Sequence, residues 1–502
     1  MSKAVKTGKR LRNLASRFNI SSMNTPARSS LFFTLTNLLC KGAAFLFIPI
    51  FTRLLSPADY GEYSLFSTLL SIGVVVVTME MPGGVIMRLY QKEREHRYIS
   101  LLSAWLISVI LSLPTVFLLF FVHKLGGFGM SFPLAYLFLF ISLISVSIIN
   151  LYVSQSKFLY KWIPPLITSL MQSIGAPLLS IMLLRIKTFS GFNHISLKIG
   201  AVTGVLAFTA ACLLILSLKE SKNESKSWDK DFRQTRSFIF SSVRFLLKLA
   251  LPLLPYYLSI TLISQADKLF VSSVLGKSDL AKYSVAYSAG VALCALTGGV
   301  MGALSPWLMR RTRAGDYEEI KKTLSSIISA SAPAIIIFLC FAPEIFAFLA
   351  PKEYQSALPV LFISALIPIP LALAQCSSSI AIAREKVRGV LFSGIIPALI
   401  TLTLNRLTIN HAPLYIPAII TALGFFILAA LGIINVYKVT GFYTINTNKT
   451  LQTTAFIVIS ATAIYSFRDF LWLRAIISII AALTLVSMAK PILSLLIEKD
   501  KT

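Results

Sequence analysis

The chain reads as an all-α polytopic membrane protein with about fourteen transmembrane helices, two parallel-repeat six-helix bundles followed by two C-terminal helices. Three observations carry that reading. Of 502 residues, 56% are hydrophobic and only 13% are charged, an apolar surplus that soluble cores cannot hide. The surplus is gathered into blocks of roughly 17 to 25 residues, each long enough for a helix to cross the hydrocarbon layer. The basic residues stand between the blocks, and most of the 47 Lys and Arg fall on one side when the N-terminus is placed in the cytoplasm. Adding or losing one span would swap every later loop and erase that bias. Both termini are therefore expected in the cytoplasm.

A basic cytoplasmic segment, 1–29, comes first and is too polar for a cleavable signal peptide. Within it Leu11, Leu14, Ala15 and Phe18 recur at helical spacing among arginines, as in a helix resting on an anionic membrane surface. Spans near 30–53, 62–87, 99–122, 132–153, 162–184 and 197–218 form an N-terminal six-helix bundle over 30–218. A basic cytoplasmic linker covers 219–245. Spans near 246–275, 283–308, 324–349, 356–378, 388–405 and 414–436 form a C-terminal bundle over 246–436. Helices near 451–467 and 470–489, with a basic tail, complete 437–502.

The two bundles share a pattern. Leu55, Asp59, Tyr63 and Ser64 have the same spacing as Leu275, Asp279, Tyr283 and Ser284, and both segments join the first span of a half to its second. Each half holds an even number of spans and keeps its orientation, so the repeats are parallel. Transport folds of this kind place their site between the halves.

A charge at mid-bilayer costs about 2.5–3.5 kcal/mol on insertion scales, so it normally faces a watery cavity or a partner. Ser30, Thr34, Asn37 and Lys41 share one helix face in span 1, and Tyr257, Thr261, Ser264 and Lys268 repeat the stripe in span 7. Lys41, Lys268, Asn37, Thr34, Thr261 and Ser264 are the candidate cavity residues, two cations for an anionic substrate group. The structural alternative for Lys268 is an ion pair with Asp267, although neighbouring helix residues diverge by about 100 degrees. Glu80, beside Pro82-Gly83-Gly84, and Asp267 are read as carriers of a coupling ion or as charge balance. Pro49, Pro82, Pro114, Pro252, Pro255, Pro368 and Pro370 lie inside spans and should kink or loosen them.

No enzyme motif emerges. Gly276-Lys277-Ser278 resembles the end of a P-loop, but the glycine required five positions earlier is Val271. The four histidines lack metal-ligand spacing and the five cysteines, odd in number, lack a C-x-x-C pair, so no metal or cofactor is expected. The formal charge of +27 reports membrane orientation here, not a nucleic-acid partner.

Phe51-Thr52-Arg53-Leu54-Leu55-Ser56-Pro57-Ala58-Asp59-Tyr60-Gly61-Glu62-Tyr63-Ser64 resembles the signature of the polysaccharide-biosynthesis flippases of the O-antigen type, members of the multidrug, oligosaccharidyl-lipid and polysaccharide exporter superfamily. Asp267-Lys268, the run from Ser305 to Arg310 with Gly315-Asp316-Tyr317-Glu318-Glu319, and Ala342-Pro343-Glu344 with Tyr354-Gln355-Ser356-Ala357 are similar to further family stretches. The likeness runs from about Leu31 to Val387. It implies a V-shaped cavity between two six-helix bundles and no catalysis. It also implies movement of a polyprenyl-diphosphate-linked oligosaccharide from the cytoplasmic to the outer leaflet of a bacterial inner membrane, with membrane lipids, polymerase and chain-length proteins as neighbours. Basic cavity residues would take the diphosphate, a role carried onto Lys41 and Lys268. Three alternatives stand beside it. An ion-coupled drug antiporter of the same fold should have an acidic cavity, a membrane glycosyltransferase or polymerase should have a large outer loop, and a lipid II flippase should carry extra arginines in span 1.

Overall fold

The computed structural model describes residues 25–498 except 84, 93–96, 127–128, 131–133, 160, 187–192, 225–231, 385 and 411–412, and these form helices joined by short connections, with no strand among them. In chain order the first half comprises α1 (Thr25–Leu54), α2 (Pro57–Thr78), the short α3 (Val85–Lys92), α4 (Arg97–Gly126), α5 (Ala135–Phe158), α6 (Ile163–Arg185) and α7 (His194–Glu224). Next comes α8 (Phe232–Ala250), leading into α9 (Leu254–Val274), α10 (Lys277–Val291), α11 (Cys294–Ala314) and α12 (Tyr317–Cys340). The short α13 (Ala342–Leu349), α14 (Lys352–Ala383), α15 (Val387–Thr408) and α16 (Ile416–Thr440) complete the second half, and α17 (Thr447–Ser466) and α18 (Leu471–Glu498) close the chain.

Local chemistry explains the helix starts. Ser56 caps α2, accepting the Asp59 N–H at 3.2 Å and donating its hydroxyl to the Asp59 carboxylate at 2.7 Å, while Pro57 occupies the first helical position, where no N–H is needed. Asp316 and Asn446 cap α12 and α17 in the same way. Gly315 and Gly441 end α11 and α16 with left-handed backbone at φ 80° and 75°.

Among the described residues ten helices are long and apolar enough to cross a membrane, or eleven if α8 and α9 count as one bent span. The remaining expected spans do have helices. Two fall short by composition, since the α10–α11 span is broken and carries Lys277 and Lys282 and α17 opens on Thr447-Asn448-Lys449; in α1 the continuous described stretch is Phe45–Leu54, itself apolar. On α4 the stripe Leu106, Ile110, Leu113 and Phe117 is 47%, 61%, 67% and 69% exposed, an apolar face that suits lipid and not water.

Part of the stretch expected as linker is itself helical. α8 meets α9 at 56° across Leu251-Pro252-Leu253, where proline removes a backbone donor. It packs on α3 and α4, burying Leu246 and Ala250 in a cluster with Met81, Ile86, Leu89 and Leu101. The linker helix is thus fastened to the first half although it runs directly into the second. Between the halves, α2 lies against α9 and α10, and α1 against α11.

The two last helices dock on α12. Arg474 of α18, only 5% exposed, donates to both Glu344 carboxylate oxygens at 2.6 and 2.7 Å and to the Cys340 carbonyl at 2.6 Å. Those bonds hold the Glu344 carboxyl below its usual 4.5. A lowered carboxyl adds stability above its ordinary range and loses it as the pH falls through the lowered value. Glu344→Gln should therefore lower the unfolding temperature at neutral pH, by the equivalent of about 1–2 kcal/mol because the carboxylate side chain is 45% exposed. In thermal melts the gap to wild type should narrow as the pH drops below 4.5.

Candidate functional site

A cavity of about 700 Å³ opens between the halves, lined by Gly42, Phe45 and Ile48 of α1, Ser264 and Gln265 of α9, and Tyr287 of α10. The break between α10 and α11 at Ala292-Leu293 also lines it, and backbone outside a regular helix is tolerated at membrane depth where a cavity borders it.

Lys268 stands on the α9 side of this cavity. Its ammonium group donates to the Gln265 side-chain oxygen at 2.8 Å and lies 4.7 Å from the centre of the Tyr287 ring, so both of its neighbours are cavity-lining residues. Asp267 turns the other way. Fully buried, it accepts the Tyr283 hydroxyl and, at 3.1 Å, the Thr421 hydroxyl, and it makes no ion pair with Lys268. The helical divergence of adjacent residues thus separates one buried, satisfied acid from one cation beside the cavity. Ser264 lines the cavity, whereas the Thr261 hydroxyl bonds back to the Tyr257 carbonyl at 3.0 Å. Lys41, Asn37 and Thr34 lie on α1, and their side chains fall outside the described residues.

Glu80 sits in a built-in break. It and Met79 adopt left-handed backbone at φ 52° and 46°, a conformation that costs a non-glycine residue energy and is held only where the surroundings over-determine it. Here the Glu80 N–H donates to the Thr78 hydroxyl at 3.3 Å, and the Ser154 hydroxyl of α5 donates to the Pro82 carbonyl at 2.8 Å. The Glu80 carboxylate is within electrostatic reach of Tyr257 across the halves.

At the end where α1 passes into α2, here termed the far end, the repeated segment closes the seam. Lys277, from the α9–α10 turn, pairs with the nearly buried Glu62 of α2 at 3.0 Å. Gly61 is pressed against the Lys277 carbonyl, leaving no room for a β-carbon. Thr52 donates to the Leu349 carbonyl at 2.8 Å and Arg53 to the Phe348 carbonyl at 3.1 Å, tying α1 to the end of α13.

Beside this seam Lys198 of α7 is 2% exposed inside an aromatic box, 4.0, 4.8 and 3.7 Å from the ring centres of Phe51, Tyr60 and Tyr63. Among the described residues it has no hydrogen bond or ion pair. Removing an ammonium group from water costs several kcal/mol, and a ring face offsets about 0.5–2 kcal/mol of that. Sequence reading alone passed over Lys198, because it stands near a span end where lysines ordinarily reach for water. The available signal was the aromatic content of Phe51, Tyr60 and Tyr63, which the fold turns onto one cation.

The fold has counterparts among solved structures. The chain matches the structure described as "Lipid II flippase MurJ, inward closed conformation" with a TM-score of 0.64 at 15% identity, covering 92% of this chain and 99% of that one. It matches an inward-facing multidrug resistance MATE transporter of the MOP superfamily with a TM-score of 0.53 at 12% identity, covering 86% and 99%. For a point mutant of the Vibrio cholerae MATE transporter VcmN the values are 0.50, 14%, 84% and 96%. These likenesses establish the fold. No curated protein matches the chain in sequence. A family model described as polysaccharide biosynthesis protein matches residues 27–312, more than half of the chain and the stretch that holds α1, the far-end seam and Lys268; the chain belongs to the polysaccharide biosynthesis protein family.

Proposed function

We propose that the protein is a flippase that moves a polyprenyl-diphosphate-linked oligosaccharide, an O-antigen or similar cell-surface repeat unit, from the cytoplasmic to the outer leaflet of a bacterial inner membrane. The observation that carries this reading is Lys268, a cation beside the cavity between the halves whose ammonium group bonds to Gln265 and, among the described residues, to no carboxylate, within a polysaccharide-biosynthesis family. Lys41 adds to it. It stands four and seven residues before Phe45 and Ile48, which line the cavity, and so shares their helical face. The diphosphate engages the two lysines, the glycan crosses in the hydrated cleft and the polyprenyl tail stays in lipid. With the N-terminus cytoplasmic, the far end is the outer side, and its closed seam makes this an inward-facing or occluded state of an alternating-access cycle. Glu80 and Asp267 are the groups available for ion coupling or charge balance.

An ion-coupled antiporter of the same superfamily is the second reading, favoured by the shared fold with MATE transporters. The cation at the cavity argues against it, since a site for cationic drugs calls for acidic walls. The test is gene deletion with mass spectrometry of polyprenyl-linked glycans and impermeant labelling of the outer leaflet. A complete repeat unit confined to the cytoplasmic leaflet is expected. Units reaching the outer leaflet normally would refute the flippase.

A further inference from the structure

We propose that Lys198 is a second anion site, used on the release side: when the far end opens, its ammonium group takes the diphosphate that leaves Lys268. This rests on the flippase reading above.

The argument begins with what the box lacks. An ammonium group carries three N–H donors, and ring faces attract its charge but present no lone pair to those donors. Lys198 is 2% exposed with three such faces around it and no hydrogen bond or ion pair among the described residues. Nearly every buried charge has a partner, so a cation held only by rings is in a resting place and would be better satisfied by an anion.

The location supplies the occasion. Phe51, Tyr60 and Tyr63 flank the α1–α2 turn, the same turn whose Gly61 and Glu62 press against Lys277 of the other half. Tyr354, from the other half, lies within electrostatic reach of Tyr60, and its buried hydroxyl has no partner among the described residues. An unpartnered hydroxyl of the other half therefore lies near Tyr60, one wall of the Lys198 box. Parting the halves at this end leaves Lys198 and its three rings together on the first half and withdraws Tyr354 and Lys277 of the second half from α2, which uncovers the box from the cleft side. A doubly charged diphosphate offers what the rings do not, a full counter-charge and several acceptor oxygens.

The phosphate of a bulk phospholipid has the same chemistry, so the experiment separates the two sources. Full-length protein in phosphatidylcholine nanodiscs is treated with a membrane-impermeant amine reagent, and Lys198 modification is read by peptide mass spectrometry. Wild type should remain unmodified. Glu62→Lys, which sets two cations against each other at the seam, should be modified at Lys198, and inorganic pyrophosphate should protect it. Lys277→Glu opens the seam independently if the first variant does not fold. Modification of Lys198 in wild type, or no pyrophosphate protection in either opened variant, overturns the proposal. Protection by phosphatidylglycerol nanodiscs alone overturns the assignment to the carrier's diphosphate. In cells, Lys198→Met should slow glycan-lipid flipping about tenfold or more, with Lys198→Arg retaining it. Unchanged flipping in Lys198→Met also overturns the role. If wild type moves no lipid-linked glycan, the flippase reading fails, while pyrophosphate protection still reports on Lys198 separately.

Discussion

Lys41→Ala combined with Lys268→Ala is expected to stop flipping, leaving repeat units on the cytoplasmic leaflet at the level of a gene deletion. Removing one side of a desolvated charge contact costs about 2–5 kcal/mol, which is roughly thirtyfold or more in headgroup binding for each lysine. Among the described residues the Lys268 ammonium group bonds to the Gln265 oxygen and faces the Tyr287 ring, with the neighbouring Asp267 carboxylate held by Tyr283 and Thr421, so a substrate anion can engage its charge. If both lysines grip one diphosphate, their effects will not add. A cycle of the two single variants and the double variant should show coupling, read by impermeant labelling of outer-leaflet glycan in cells with matched protein levels. Additive effects would mean that the lysines serve separate steps. Full flipping by the double variant would remove both from the site.

The second large effect is expected at the far-end seam. Glu62→Lys turns a 3.0 Å attraction with Lys277 into a repulsion within a nearly buried contact, and should shift the population towards far-end-open protein. Cysteines placed across the seam, one at Leu55 and one at Ser278, should then react with impermeant reagents at least about tenfold faster than in the unaltered background. The exchange Glu62→Lys with Lys277→Glu should return reactivity towards the starting level, because the pair is restored with its ends swapped. Gly61→Val should open the seam by a different route, since its side chain would overlap the Lys277 carbonyl. Seam reactivity unchanged in all of these variants would mean that the two turns are not a gate.

Much of the architecture was legible from order and composition. Apolar length and basic punctuation place the helices, since a bilayer leaves the backbone little alternative to helix. The matching spacing of Leu55 to Ser64 and Leu275 to Ser284 located both turns of the seam. What it concealed was that the turns touch, because each match is a local pattern whereas the Gly61–Lys277 and Glu62–Lys277 contacts join residues over two hundred positions apart. The break at Met79-Glu80 falls just before Pro82-Gly83-Gly84, where the sequence placed a kink, whereas nothing local marked the one at Ala292-Leu293, whose conformation depends on packing and cavity contacts.

The sequence by itself determined the membrane class, the helical order, the doubled halves and the stripe that ends in Lys268, all of which depend on spacing along one chain. Only the tertiary structure decided which charges have partners. It buried Asp267 against Tyr283 and Thr421, set Lys268 against Gln265 and Tyr287 beside the cavity, joined Arg474 to Glu344 and enclosed Lys198 in three rings. The physical reason is that the energy of a charge in a membrane protein is set by the few groups within about 4–6 Å of it, and those come from distant helices.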